Sequence, residues 1–159
     1  IPWAASLHAH AGNGAAARHW LGVYLDVFTN EGRAGLHDSA FPGVTTLDGG
    51  FAFVPGQEID EVMQLDGRFG LISAVYDMLL QEDQGGFYLF PALPPDWKTL
   101  SLEGLRLPCG FLLSARLEQG SLSSLTLNSE RGGPLKLYLP GGETLELNLA
   151  AGETWERVS

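Results

Sequence analysis

Cysteine occurs once in the 159 residues, at Cys109, and methionine twice. A lone cysteine excludes an internal disulfide and any zinc site built from several thiolates. No histidine or asparagine pattern around Cys109 offers activation, so it reads as a small buried apolar residue and not as a nucleophile. Basic residues are also scarce, 9 against 19 acids, for a net charge of −10. Such a surface repels phosphate backbones and lacks a basic patch, so nucleic acid is not an expected partner, whereas a neutral sugar would not be repelled. No run of 18 apolar residues exists, so no membrane span is expected. No charged-then-apolar leader opens the chain, and its first residue is Ile1, which fits a processed, trimmed or partly sequenced chain, so the missing leader says little about a parent protein. A Gly-rich phosphate loop, a Gly-x-Ser-x-Gly elbow and a His-Glu-x-x-His helix are all missing.

What is present divides by hydrophobic period. Ala17, Trp20, Leu21, Tyr24 and Phe28 recur at helical spacing and predict an amphipathic helix over 15–28. Before it, Trp3, Leu7 and Ala11 mark one face of a shorter helix, and Gly12-Asn13-Gly14 separates the two as a helical hairpin. Residues 29–62 are rich in glycine and read as one long irregular segment, of a length usually functional or disordered. A third helix is expected from about Gly67 to Gln81, with Phe69, Ile72, Tyr76, Leu79 and Leu80 buried, Asp66 as its N-cap and Gly85-Gly86 past its end. From residue 86 the period falls to two. Phe111, Leu113, Ala115 and Leu117 alternate with polar or outward residues, as do Leu135, Leu137 and Leu139, and then Leu145, Leu147 and Leu149. Gln119-Gly120, Gly132-Gly133-Pro134 and Gly141-Gly142 supply turns, and a last strand falls around Thr154–Val158. The expected class is α+β: a helical segment over 1–85, then a small antiparallel β-sandwich over 86–159.

Few residues stand where chemistry would need them. Asp66, after a loop and before Gly67, is placed either to cap its helix or to orient a group or activate water at the mouth of a site. Glu58, Asp60 and Glu61 cluster upstream, as a solvated turn or as paired carboxylates for glycosidic hydrolysis. His8 and His10 are two apart on a helix and face different ways, so they do not form a metal pair, and His19 stands alone. His37, beside Asp38 in the long loop, is placed to line a pocket and touch substrate. Of four tryptophans, Trp3, Trp20 and Trp155 sit in periodic segments and read as core, whereas Trp97, after Pro94-Pro95-Asp96, reads as a surface residue able to stack on a sugar ring.

In order and spacing, several short segments resemble glycoside hydrolase family 95 and its close relatives, the α-L-fucosidase-like enzymes. They are Trp3-Ala-Ala-Ser-Leu7-His-Ala9 with Gly12-Asn13-Gly14, then Gln64-Leu-Asp66-Gly67-Arg68-Phe69-Gly70, then Met78-Leu79-Leu80-Gln81. Leu89-Phe90-Pro91-Ala92-Leu93-Pro94-Pro95-Asp96-Trp97, Gly104-Leu105-Arg106 and Gly110-Phe111 complete the set. The resemblance covers 1–135 with a gap in the loop. It implies the tail of an (α/α)6 barrel followed by a β-sandwich, and inverting hydrolysis of a carbohydrate without metal or organic cofactor. It implies that Asp66 helps side-chain amides activate the attacking water, while the acid Glu and the amides would lie before Ile1. Arg68 stands where these relatives have Asn, so it sets a cation beside Asp66 and is expected in the substrate pocket; the 29–62 segment is longer than theirs.

On this reading the chain is the C-terminal portion of a glycosidase, inactive alone, with helix faces exposed and able to form a homo-oligomer or to pack onto the sandwich. Two alternatives stay open: a non-catalytic sugar-binding or structural module, which an aromatic stripe on the strands would favour, and a small independent enzyme pairing Asp66 with Glu58 or Asp60.

Overall fold

The computed structural model describes residues 1–36, 64–83 and 85–158, so His37, Asp38, Glu58, Asp60 and Glu61 lie outside the described residues. The chain divides into two compact units. Ile1–Leu79 with Ala92–Pro94 form one, and Leu80–Pro91 with Pro95–Ser159 the other.

Among its described residues the first unit holds three helices, α1 (Pro2–His10), α2 (Gly14–Val27) and α3 (Leu65–Leu79), and α1 packs against both others. Pro2 opens α1 where its missing N–H costs nothing. Asn13 caps α2, its side-chain oxygen accepting from Ala16 N at 3.0 Å. The interior is Ala5 and Ala9 from α1, Ala17, Leu21 and Tyr24 from α2, and Ala74, Met78 and Leu79 from α3. Small residues let the helices close up. A Cβ on Gly70 would come 3.1 Å from Pro2 Cβ, and one on Gly14 would lie 2.3 Å from the Ala92 carbonyl oxygen. Between α1 and α3, Ser6 Oγ donates to Asp77 Oδ2, and His10 Nε2 lies 3.6 Å from Asp77 Oδ1.

Here the structure corrects the expected helix faces. Trp3 and Leu7 are 80% and 62% exposed, and Phe69, Ile72 and Tyr76 are at least half exposed. Helical periodicity identifies an apolar stripe but not the side on which a partner stands. Within this unit the buried positions of α1 are alanines, α2 and α3 bury Leu21, Tyr24, Met78 and Leu79 beside alanines, and Trp3, Leu7, Phe69, Ile72 and Tyr76 turn outward. The third helix also ends at Leu79, earlier than the apolar run implied, because the chain passes into a strand at Leu80.

Among its described residues the second unit is two four-stranded sheets. One has the order β1 (Leu80–Asp83), β2 (Gly86–Leu89), β6 (Gly133–Tyr138), β7 (Thr144–Leu149); the other β3 (Leu100–Arg106), β4 (Phe111–Glu118), β5 (Ser121–Ser129), β8 (Thr154–Val158). Burial alternates along β4 as the sequence indicates, with Phe111, Leu113, Ala115 and Leu117 inside, and Leu135 and Leu137 are inside on β6. Leu125 and Leu127 of β5 add fully buried side chains. Pairing is antiparallel throughout except β2 with β6, which is parallel. That pairing departs from the all-antiparallel expectation. Cys109, expected inside, is exposed in the turn between β3 and β4, and desolvation raises its thiol pKa, which disfavours the reactive thiolate.

Candidate functional site

Several polar contacts of the first unit lie between the end of α2 and the start of α3. After α2, Thr29 Oγ1 donates to the Leu25 carbonyl at 2.6 Å, and Thr29 pairs with Gly35 in a short antiparallel bridge. Asn30 closes the turn between them, its side-chain oxygen accepting from Ala34 N at 2.9 Å. The Gly35 carbonyl then accepts from Gln64 N at 2.8 Å, which fixes the backbone one residue before α3.

That anchor determines the setting of Asp66. The helix starts at Leu65, so Asp66 is a first-turn residue and not the N-cap that the sequence suggested. Its exposed carboxylate meets the positive end of the helix dipole. Gln64 Nε2 donates to Asp66 Oδ2 at 3.2 Å. Together they line a cavity of about 530 Å³ with Trp3, Ser6, Gly70 and Ser73. Asp66 is the one carboxylate among the described residues lining it. A carboxylate, an amide, two hydroxyls and an exposed indole can bind a neutral polyhydroxylated molecule and hold a water for deprotonation.

Arg68 has a different environment. Its Cγ would lie 2.9 Å from a Cβ on Gly35, and its charge acts on Tyr24. Tyr24 is 3% exposed and its hydroxyl has no hydrogen-bond partner among the described residues. Burial pushes its pKa up, against the pull of the Arg68 cation and with the repulsion of Asp66. The hydroxyl occupies space left by two glycines: a Cβ would approach it to 2.4 Å at Gly35 and 2.8 Å at Gly67.

The structure therefore groups Asp66 with Gln64, Trp3, Ser6 and Ser73 and leaves Arg68 outside that cavity lining. Trp97 is half-buried and belongs to the second unit, and His37 lies outside the described residues. Sequence reasoning missed Trp3, which helical spacing had assigned to the core. It also missed Gln64, although an amide two residues before a candidate carboxylate was a visible signal.

In the second unit, Tyr88 of β2 stacks on Tyr138 of β6 with centroids 4.3 Å apart, and Lys136 Nζ lies 5.4 Å from the Tyr138 ring centroid. Lys136 also pairs with Glu146 of β7 at 2.8 Å. A cavity of about 310 Å³ there is bordered by Glu143 and Arg157, whose guanidinium is held by both Glu143 oxygens at 2.8 and 3.0 Å.

Comparison with known proteins relates part of the chain to a curated enzyme. The chain is 39% identical over 69 residues to alpha-L-fucosidase 2 of Arabidopsis thaliana. The match takes in 43% of this chain and 8% of that protein, so the chain corresponds to a small part of the relative's length. No protein-family profile matches. The similarity relates this chain, in part, to a glycosidase.

Proposed function

We propose that this chain carries the water-activating half of an inverting glycosidase centre of the α-L-fucosidase-like family 95 type, acting on a fucosylated carbohydrate. Asp66 is the base, and Gln64 supplies an amide that orients its carboxylate. The observation that carries the reading is the Gln64–Asp66 hydrogen bond at the edge of an open cavity, within a chain partly similar to a fucosidase. Inverting cleavage needs an acid opposite the base, with the two carboxyls about 6.5–9.5 Å apart to admit water. Asp66 has no such partner among the described residues of the cavity, so the acid comes from elsewhere. On this reading the helices are the last part of an (α/α)6 barrel, the two sheets are its β-sandwich, and the 159 residues alone bind sugar without cleaving it.

The test is a titration of the isolated chain with L-fucose, followed by amide resonances. Saturable shifts at Gln64, Gly67 and Gly70, weakened in Asp66→Ala, are expected. Silence at these three positions refutes the site. Hydrolysis of an aryl α-L-fucoside by the isolated chain, lost in Glu58→Gln or Asp60→Asn, would instead make it a small enzyme complete in itself.

A second reading, a non-catalytic sugar-binding module, is favoured by the stacked Tyr88–Tyr138 pair, an aromatic patch on the strands. In the same titration it would move resonances of Tyr88 and Tyr138 and leave Gln64 in place.

A further inference from the structure

We infer that Trp3 is the stacking platform of the Asp66 cavity, and that the cavity takes a pyranose with one contiguous C–H face turned to the indole and its hydroxyl edge turned to Gln64 and Asp66. The inference rests on the sugar site proposed above and goes beyond it by assigning recognition to a residue outside the Gln64–Gly70 segment.

Three observations carry it. Trp3 is 80% exposed, although burying an indole is among the larger apolar gains a fold can make. It is also placed at a cavity: it lines the same space of about 530 Å³ as Asp66 and Gln64, within the range of about 300–1,000 Å³ typical of ligand sites. Finally, the polar groups lining that space suit a sugar edge. The Asp66 carboxylate accepts, the Gln64 amide both donates and accepts, and Ser73 adds a hydroxyl. A pyranose has the same division, with C–H groups on one face and hydroxyls round the rim. A flat aromatic surface lining the same space as several hydrogen-bonding groups matches it.

Leu7 distinguishes this from a general apolar face. It is one turn further along α1 and 62% exposed, yet it does not line the cavity. If Trp3 were only part of a surface covered by other protein, Leu7 and Trp3 would behave alike.

The experiment titrates the chain and its Trp3→Ala, Trp3→Phe and Leu7→Ser variants with L-fucose, reading the Trp3 indole N–H and the amides of Gln64 and Gly67. The exposure of both side chains makes folding of the variants expected, and far-UV circular dichroism checks it. The expected result is a saturable shift of the Trp3 indole, affinity at least about tenfold weaker in Trp3→Ala, within about threefold in Trp3→Phe, and unchanged in Leu7→Ser. Shifts at Gln64 and Gly67 with affinity unaltered by Trp3→Ala would overturn the platform while leaving the Asp66 site standing. Absence of any saturable shift at these amides would overturn both.

Discussion

Replacing Tyr24 by Phe should stabilise the protein. The hydroxyl sits on a residue 3% exposed, and among the described residues no hydrogen-bond partner replaces the water that folding strips from it. An unsatisfied buried polar group costs about 1–3 kcal/mol, and Phe keeps the ring and its packing. At a urea m-value of about 2 kcal/mol/M, a gain of about 1 kcal/mol moves the midpoint up by about 0.5 M. The geometry also predicts a coupling with Gly67. A Cβ there would meet the Tyr24 hydroxyl oxygen at 2.8 Å, and the next nearest atoms are Cε2 at 3.2 Å and Cζ at 3.3 Å. Gly67→Ala should therefore destabilise the wild type despite the helix-propensity gain of about 0.5–1 kcal/mol. In the Tyr24→Phe background the tightest contact is gone and the same change should cost less, by about 1 kcal/mol or more. Urea unfolding of the four proteins gives the cycle. A Tyr24→Phe protein less stable by about 1 kcal/mol or more would show that the hydroxyl is held by a bond, additive effects would show that it is not what the Cβ meets, and either would refute the reasoning. The pH dependence adds a check. The folded state raises the Tyr24 pKa, so it holds the phenolic proton more tightly than the unfolded chain. That contribution is fully present below the unfolded value and is lost as pH rises through the folded one, so alkaline destabilisation should diminish in Tyr24→Phe.

Other expected outcomes follow from single contacts. Gly14→Ala places a Cβ 2.3 Å from the Ala92 carbonyl oxygen and 2.5 Å from Leu93 backbone atoms, so it should cost about 3 kcal/mol or more in denaturant unfolding, because backbone on both sides must move. Hydrogen bonding to Lys136 holds the Glu146 carboxyl below its ordinary pKa and raises that of Lys136. The Glu146 contribution is present above its unfolded pKa and lost as pH falls through the folded one; the Lys136 contribution is lost as pH rises through its raised value. Side-chain NMR should show the Glu146 titration midpoint move up in Lys136→Met, and an unmoved midpoint would refute the pair. The exposed Leu7, Phe69 and Ile72 should make the isolated chain associate, and sedimentation should show a smaller species for Leu7→Ser/Phe69→Ser/Ile72→Ser. Equal sedimentation of the two proteins would count against association through these faces.

Much of the secondary structure was legible because it rests on local periods. The two-residue alternation from Phe111 to Leu117 is the burial pattern of β4, and Gly12-Asn13-Gly14 separates the first two helices as expected. What failed depended on knowing which side a partner occupies. Phe69, Ile72 and Tyr76 form a convincing apolar stripe, yet the face of α3 that is buried carries Ala74 and Met78. The same ambiguity hid Trp3. The parallel β2–β6 pairing, which brings Tyr88 onto Tyr138, joins strands far apart in sequence and leaves no local signature. Asp66 was legible as a candidate because a carboxylate at a helix start is a local feature. Its companionship with Trp3 and Ser6 is a tertiary fact.

The most direct test of the central claim is the anomeric form of the sugar first released from an aryl α-L-fucoside by the protein expressed from its whole natural reading frame, followed by NMR beside its Asp66→Asn variant. The account predicts β-L-fucose as the first product, with the rate falling at least about a hundredfold in Asp66→Asn, as expected for loss of a general base. Release of α-L-fucose, or an undiminished rate in Asp66→Asn, would contradict it.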